Sequence, residues 1–281
     1  MKKLVLTLFT LCCIGISFSQ IKTPQPSPSS TLKQTVGITE ITVNYSRPGA
    51  KDRTIFGELV PYNKIWRTGA NKATAITFKS DVIFGETKVK KGTYSLFTVP
   101  GESEWVVMLN KETELWGAGN YNKENEVAAF KVDTKKTSDF TESFTIDFNT
   151  FTAFGAMMNL TWENTQVSVP VMTYGKEKLA EQFKKELVDG PDAGLFYNGA
   201  RFYLDNDLDI NLALEWITVA TEKRPEAFWM LYQQARILDK AGSKKEAIQA
   251  AQKVISIASE KEDDYGYIAR AEKLIKELKS K

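Results

Sequence analysis

The chain has 281 residues, 42% hydrophobic and 26% charged, the composition of a folded globular protein rather than a disordered one. Lysine and arginine number 37 against 35 acids, only two cysteines occur, and histidine is absent. Without histidine there is no Ser-His or Cys-His nucleophile pair, no imidazole general base and no histidine-ligated zinc.

Residues 1–19 read as an export signal. Met1-Lys2-Lys3 is a positive start, and Leu4 to Phe18 is an apolar run interrupted only by Thr7, Thr10 and Ser17. Ser17-Phe18-Ser19 then offers the small residues a signal peptidase reads, which predicts cleavage before Gln20. The run is shorter than the ~20 residues that span a bilayer as a helix. Both cysteines lie inside it, and Leu11 ahead of Cys12 does not suit lipid attachment. The expected product is periplasmic or secreted. Loss of Lys2 and Lys3 takes 37 bases down to 35, equal to the acids, so a nucleic-acid partner is not expected. No later segment has the apolar length of a transmembrane helix. Pro24, Pro26 and Pro28 among serines predict an extended, solvated tether over residues 20–30.

Residues 31–173 carry a period of two. Ile41, Val43 and Tyr45 alternate with polar residues, as do Phe144, Ile146 and Phe148, and then Val167, Val169 and Val171. Ala75–Phe78, Tyr94–Val99, Trp105–Leu109 and Ala156–Trp162 are further β-rich runs, separated by turn signals such as Lys91-Gly92 and Pro100-Gly101. About ten short strands without intervening helices predict an antiparallel β-sandwich or barrel. Pro170 predicts that the last strand lies at an edge or ends there.

From residue 174 to 281 the period becomes 3.6. Helices are expected at Glu177–Val188, Ala193–Leu204, Leu212–Glu222, Glu226–Lys240 and Asp264–Lys279. Another follows Ser243, which with Glu246 spells a capping box. Ala213, Ile217 and Ala220 recur 34 residues later as Ala247, Ala251 and Val254, and Ala235 recurs as Ala269. That spacing is the tetratricopeptide period, so the fold class is α+β and segregated: a β-sandwich or barrel followed by roughly two tetratricopeptide-like units and a capping helix.

Chemical motifs are sparse. Ser30-Thr31-Leu32-Lys33 spells the S-x-x-K of serine acyl-enzymes but ends a proline-rich tether and lacks companion motifs. Asp205, Asp207, Asp209 and Asn211 alternate like a calcium loop, yet Ile210 and Trp216 stand where glycine and glutamate are needed. The plainer reading is a solvated turn capping the next helix. No metal site and no cofactor motif is found.

One segment is denser than the rest. Arg47, Arg53 and Arg67, all the arginines of the β half, fall in a glycine-punctuated stretch with Tyr62, Trp66 and Asn71. A planar guanidinium grips carboxylates, phosphates or several carbonyls, so these residues, with Trp116 in a second glycine-rich loop, are the candidate binding site. The alternative is that the arginines tie a long loop to the sheet through carbonyls and acids such as Glu40 or Glu163. Trp66 and Trp116 could likewise be sugar platforms or cover for the core.

Arg47-Pro48-Gly49, Ile55-Phe56-Gly57-Glu58-Leu59-Val60-Pro61-Tyr62 and Trp66-Arg67-Thr68-Gly69-Ala70-Asn71 resemble an exported bacterial family labelled domain of unknown function 2911. Gly92-Thr93-Tyr94, Trp116-Gly117 and Asn159-Leu160-Thr161-Trp162-Glu163 continue the likeness, over about residues 26–172. The family pattern usually has glycine where this chain has Asp52. The resemblance implies a bacterial cell-envelope protein and carries no activity with it.

Two functions fit. The first is a non-catalytic binding or scaffolding protein, meeting a small ligand or a protein or peptide partner through loop 47–71 or the helical repeats. The alternative is a carboxylate-dependent, metal-free hydrolase acting on a glycan, since paired acids are the main acid/base device left without histidine. No two acids are paired by the sequence.

Overall fold

The computed structural model describes residues 23–188 and 191–280, so the expected export signal and the start of the expected tether lie outside the described residues. Among the described residues the fold is α+β with segregated parts: nine antiparallel strands, then six helices. The strands are β1 (Ser29–Val36), β2 (Thr39–Ser46), β3 (Thr74–Phe78), β4 (Val82–Phe84), β5 (Thr87–Val89), β6 (Gly92–Val99), β7 (Glu104–Asn110), β8 (Glu126–Asn149) and β9 (Gly155–Thr173). Their order in the sheet is β1-β2-β3-β6-β7-β8-β9-β4-β5.

The sequence led us to expect short strands, but β8 has 24 residues and β9 has 19. Length here serves a change of partner. β8 pairs with β7 through Asp133 and with β9 from Thr134 onward, so the sheet folds back on itself along this strand. Its two halves then share one core: Phe78 of β3 and Phe84 of β4, far apart in strand order, have ring centroids 5.8 Å apart. Tyr45 of β2 meets Phe144 of β8 edge-on at 5.9 Å. Alternation puts every second residue of β2 (Ile41, Val43, Tyr45) and of the end of β9 (Val167, Val169, Val171) into this core, as the period of two requires.

Pro170 does not end β9. Above Val167 the strand has left β8, and at Val171 it takes up β4, so the missing N–H of Pro170 falls between two pairing partners while its carbonyl accepts from Gly85 N at 2.8 Å. The tether is shorter than its composition suggests. Ser29 and Ser30 already pair with Ser46 and Tyr45, and Pro28 O accepts from Arg47 N at 2.9 Å. Ser30 is therefore a strand residue, not the helix-borne serine an acyl-enzyme needs.

The helices are α1 (Gly175–Glu186), α2 (Ala193–Asp205), α3 (Ile210–Lys223), α4 (Phe228–Lys240), α5 (Lys244–Ala258) and α6 (Tyr267–Ser280). Asp209 caps α3, accepting from Asn211 N and Leu212 N, so the Asp-rich turn is a helix start. The Ser243–Glu246 capping box does not form, because Ser243 makes no side-chain cap bond. Its main chain is committed to closing α4. Ser243 N reaches back to Leu238 O and Gly242 N to Asp239 O, with Gly242 at φ +83°, which is a Schellman closure. That leaves Ser243 at ψ 61° instead of the extended conformation from which its hydroxyl could cap α5.

The small-residue repeat holds in α3 and α5, where Ala213, Ile217, Ala220, Ala247, Ala251 and Val254 are all fully buried. In α6 it shifts: Ala269 is exposed and Ala271 takes the buried position that Ala235 has in α4. Helices α1–α3 with part of α4 enclose one core, and α4–α6 enclose another.

Candidate functional site

The loop from Arg47 to Asn71 is built from its own side chains. Arg47 donates from Nε to Phe144 O (3.0 Å) and from Nη2 to Thr145 Oγ1 (2.6 Å). Arg53 donates to Ala50 O (3.0 Å) and Gly49 O (2.7 Å). Glu163 and Glu142 add acceptors for Ile55 N and Lys51 N, both at 3.0 Å. Both arginine forks thus close on the protein. Tyr62 is half-buried against the β core.

Each residue of the Trp66–Asn71 string has a place. Trp66 is buried, stacks on Trp162 at 5.9 Å with planes 19° apart, and donates from Nε1 to Gly69 O at 3.0 Å. Thr68 is buried with its hydroxyl 3.1 Å from that of Thr98, and its φ is +54°. Asn71, at φ +61°, donates to Ser46 Oγ at 3.2 Å. Arg67 differs. Its Nε is buried and meets no acceptor, and burial holds its pKa below the ordinary arginine value. Trp116 is 76% exposed beyond the outer face of the sheet, bridged to Lys72. The structure does not bring the three arginines together around a cavity.

Cavities of about 980 and 660 Å³ both lie in the helical half, and none of the seven sequence-predicted residues lines either. The larger is a groove across α2, α4 and α6. Helix α2 contributes Asp205, α4 contributes Tyr232, Arg236 and Lys240, and α6 contributes Arg270 and Glu277, among others. Each of these helices carries a tyrosine followed four or three residues later by an arginine: Tyr197-Asn198-Gly199-Ala200-Arg201, Tyr232-Gln233-Gln234-Ala235-Arg236 and Tyr267-Ile268-Ala269-Arg270. Residues four or three apart lie on one helical face, so each helix presents one tyrosine and one arginine together. The sequence reading followed the alanines and missed this recurrence of tyrosine every 35 residues, which was there to be found.

The ladder converges in space. Tyr267 packs edge-on against Tyr232 at 5.5 Å, and the Arg270 guanidinium lies 5.0 Å above the Tyr267 ring. Burial pushes the Tyr267 hydroxyl above the usual tyrosine range, with the Tyr197 phenol adding to the effect. Burial works against the Arg201 charge, but Tyr197 and Asp205 outweigh it and hold the guanidinium above its ordinary pKa. Asp205 is shared, 3.4 Å from Arg201 Nε and 3.4 Å from Arg236 Nη2. Lys240 pairs with Asp207 at 2.8 Å. Beneath this lining, Gln233 is 3% exposed and accepts from Arg236 Nη1 at 3.0 Å. Its Nε2 is buried and meets no acceptor. The long ion pairs are half-exposed and weakly held, so the guanidinium groups can turn to other acceptors. The groove offers aromatic faces, a row of donors and a row of carboxylates with charges close to balance. Among the described residues no three acids are grouped so as to hold a metal ion.

A family described as "Protein of unknown function (DUF2911)" has a model that matches residues 27–171, just over half of the chain. The match begins just before β1 and ends at Val171, within β9 and before α1. No curated protein matches the chain.

Proposed function

The chain belongs to the DUF2911 family of proteins of unknown function, and from that premise we propose an exported binding protein of the bacterial cell envelope. Its helical half would hold a polypeptide segment in the groove across α2, α4 and α6. The observation that carries this reading is the tyrosine–arginine ladder, one pair per inner helix, of which Tyr232, Arg236 and Arg270 line the cavity of about 980 Å³. Tyrosine and arginine are the side chains that most often dominate protein interfaces, because each combines a broad apolar surface with directional donors. A near-neutral lining suits a polypeptide backbone, whose carbonyls would meet the arginines and whose N–H groups would meet the acids, better than it suits a polyanion. The inner position of α2, α4 and α6 and the 34–35-residue recurrence support a tetratricopeptide-like stack. In this reading the β half is a separate domain that carries the helical half at the cell envelope.

Panning a random peptide library against the full chain tests the groove. Selected peptides should bind saturably and lose at least tenfold in affinity to Tyr232→Ala and to Arg236→Ala. Binding untouched by either change would remove the groove from consideration. Expression of the full chain in a Gram-negative host should place it in the osmotic-shock fraction with Gln20 as its first residue. Retention in the cytosol with Met1 intact would sink the export reading.

A further inference from the structure

The second cavity, of about 660 Å³, lies away from the ladder, between the α3–α4 turn and the α5–α6 loop. Two aromatic side chains border it and face solvent: Trp229 is 37% exposed and Tyr265 is 69% exposed. Neither is loosely displayed. Phe228 braces Trp229 edge-on, with ring centroids 5.3 Å apart and planes at 85°. Tyr265 stands at φ +49°, a conformation unfavourable for a bulky residue, and is held there by Asp263, whose carboxylate accepts from Tyr265 N at 2.7 Å. The ring thus stands in water at the edge of the cavity.

The polar lining narrows what such rings could receive. Arg224 and Lys261 bring donors, Glu262 and Asp263 bring acceptors, and the ion pair between Lys261 and Glu226 is long, at 3.6 Å. Bases and acids together select against a strongly charged ligand of either sign. Flat apolar rings call for a flat apolar face, and a rim of mixed donors and acceptors calls for groups that do both, as hydroxyls do. The volume falls within the range of small-molecule sites, roughly 300–1,000 Å³. We infer that this cavity is a binding site for neutral oligosaccharides, the C–H face of a sugar ring stacking on Trp229 and Tyr265 while its hydroxyls meet the charged rim. The inference does not depend on the peptide groove, which shares helix α4 with this cavity but is lined by other residues.

The test is a titration of the full chain, followed by the backbone amide signals around residues 224–229 and 261–266, with cellohexaose, maltohexaose and chitohexaose in turn. Tetramethylammonium chloride and an acidic octapeptide are the comparison probes. At least one oligosaccharide should shift these signals saturably, with Tyr265→Ala weakening it tenfold or more and Tyr232→Ala leaving it unchanged. Tyr265 is exposed, so its truncation keeps the fold, and Trp229→Phe, which preserves the packing on Phe228, should weaken binding severalfold. Absence of saturation by all three sugars up to about 20 mM would overturn the inference. So would tighter binding of tetramethylammonium or of the peptide, or sugar affinity unchanged in Tyr265→Ala.

Discussion

The ring of Phe154, in the turn between β8 and β9, meets the ring of Phe202 on α2 edge-on, with centroids 5.9 Å apart and planes at 86°. Both side chains are half-buried, and this contact joins the two halves of the molecule. Phe202 in turn packs on Phe183 of α1 at 5.3 Å, so α1 and α2 dock as one surface.

The β core is complete without that surface, since its buried residues come only from the strands and their loops. A fragment spanning 23–173 should therefore give a dispersed amide spectrum, and Phe154→Ala in the full chain should cost about 1–2 kcal/mol, less than for a fully buried phenylalanine. A collapsed spectrum for the fragment would mean the helices are needed to complete the sheet.

Arg47 and Arg67 should behave oppositely when made apolar. Arg47→Met deletes two hydrogen bonds and leaves Phe144 O without its donor, for a loss of about 2 kcal/mol. Arg67→Met removes a buried Nε that has no acceptor, so stability should stay within about 0.5 kcal/mol or rise. Denaturant unfolding of both variants measures the difference. A loss of 2 kcal/mol in Arg67→Met would make Arg67 another anchor of the loop.

Lys51 and Asp52 both sit at positive φ, +50° and +58°, the region in which glycine is at ease. Asp52→Gly relieves roughly 1–2 kcal/mol of backbone strain and gives back about 0.4–1 kcal/mol through the freer unfolded chain. The net expectation is a gain of about 0.5 kcal/mol, readable as a raised denaturation midpoint. A lower midpoint would reveal an interaction of the Asp52 carboxylate.

Two carboxylates should contribute to acid sensitivity. Ile268 N and Gly266 N hold the Asp264 carboxyl below its ordinary range at the start of α6. Lys91 N, followed by Lys90, does the same for Asp81. A pKa lowered by folding gives stability that is fully present above the unfolded value, near 4, and lost as pH falls through the folded one. Melting temperature should therefore fall between pH 4 and pH 2 less steeply in the Asp81→Asn, Asp264→Asn double variant than in the parent chain. Equal slopes would exclude both groups.

Periodicity alone determined the segregated fold of this protein. Alternation at Ile41–Tyr45 and Phe144–Phe148, and the 3.6 period after Tyr174, report which face of each element leaves water, and that depends on local spacing. Partnership is not local. The change of partner along β8, which makes two half-sheets face each other, was decided by the tertiary structure, because alternation looks the same whichever strand lies alongside. The same limit applied to the arginines. Sequence grouped Arg47, Arg53 and Arg67 within one loop, but only packing decided that Phe144 O, Thr145, Gly49 and Ala50 would occupy the first two forks and leave Arg67 Nε without a partner. Conversely, Tyr197, Tyr232 and Tyr267 were legible as a 35-residue recurrence, while the packing of Tyr267 on Tyr232 beside the groove waited on α4 and α6 stacking side by side. A hydrogen bond or a cavity belongs to pairs of residues far apart in the chain, and no single window of sequence contains both.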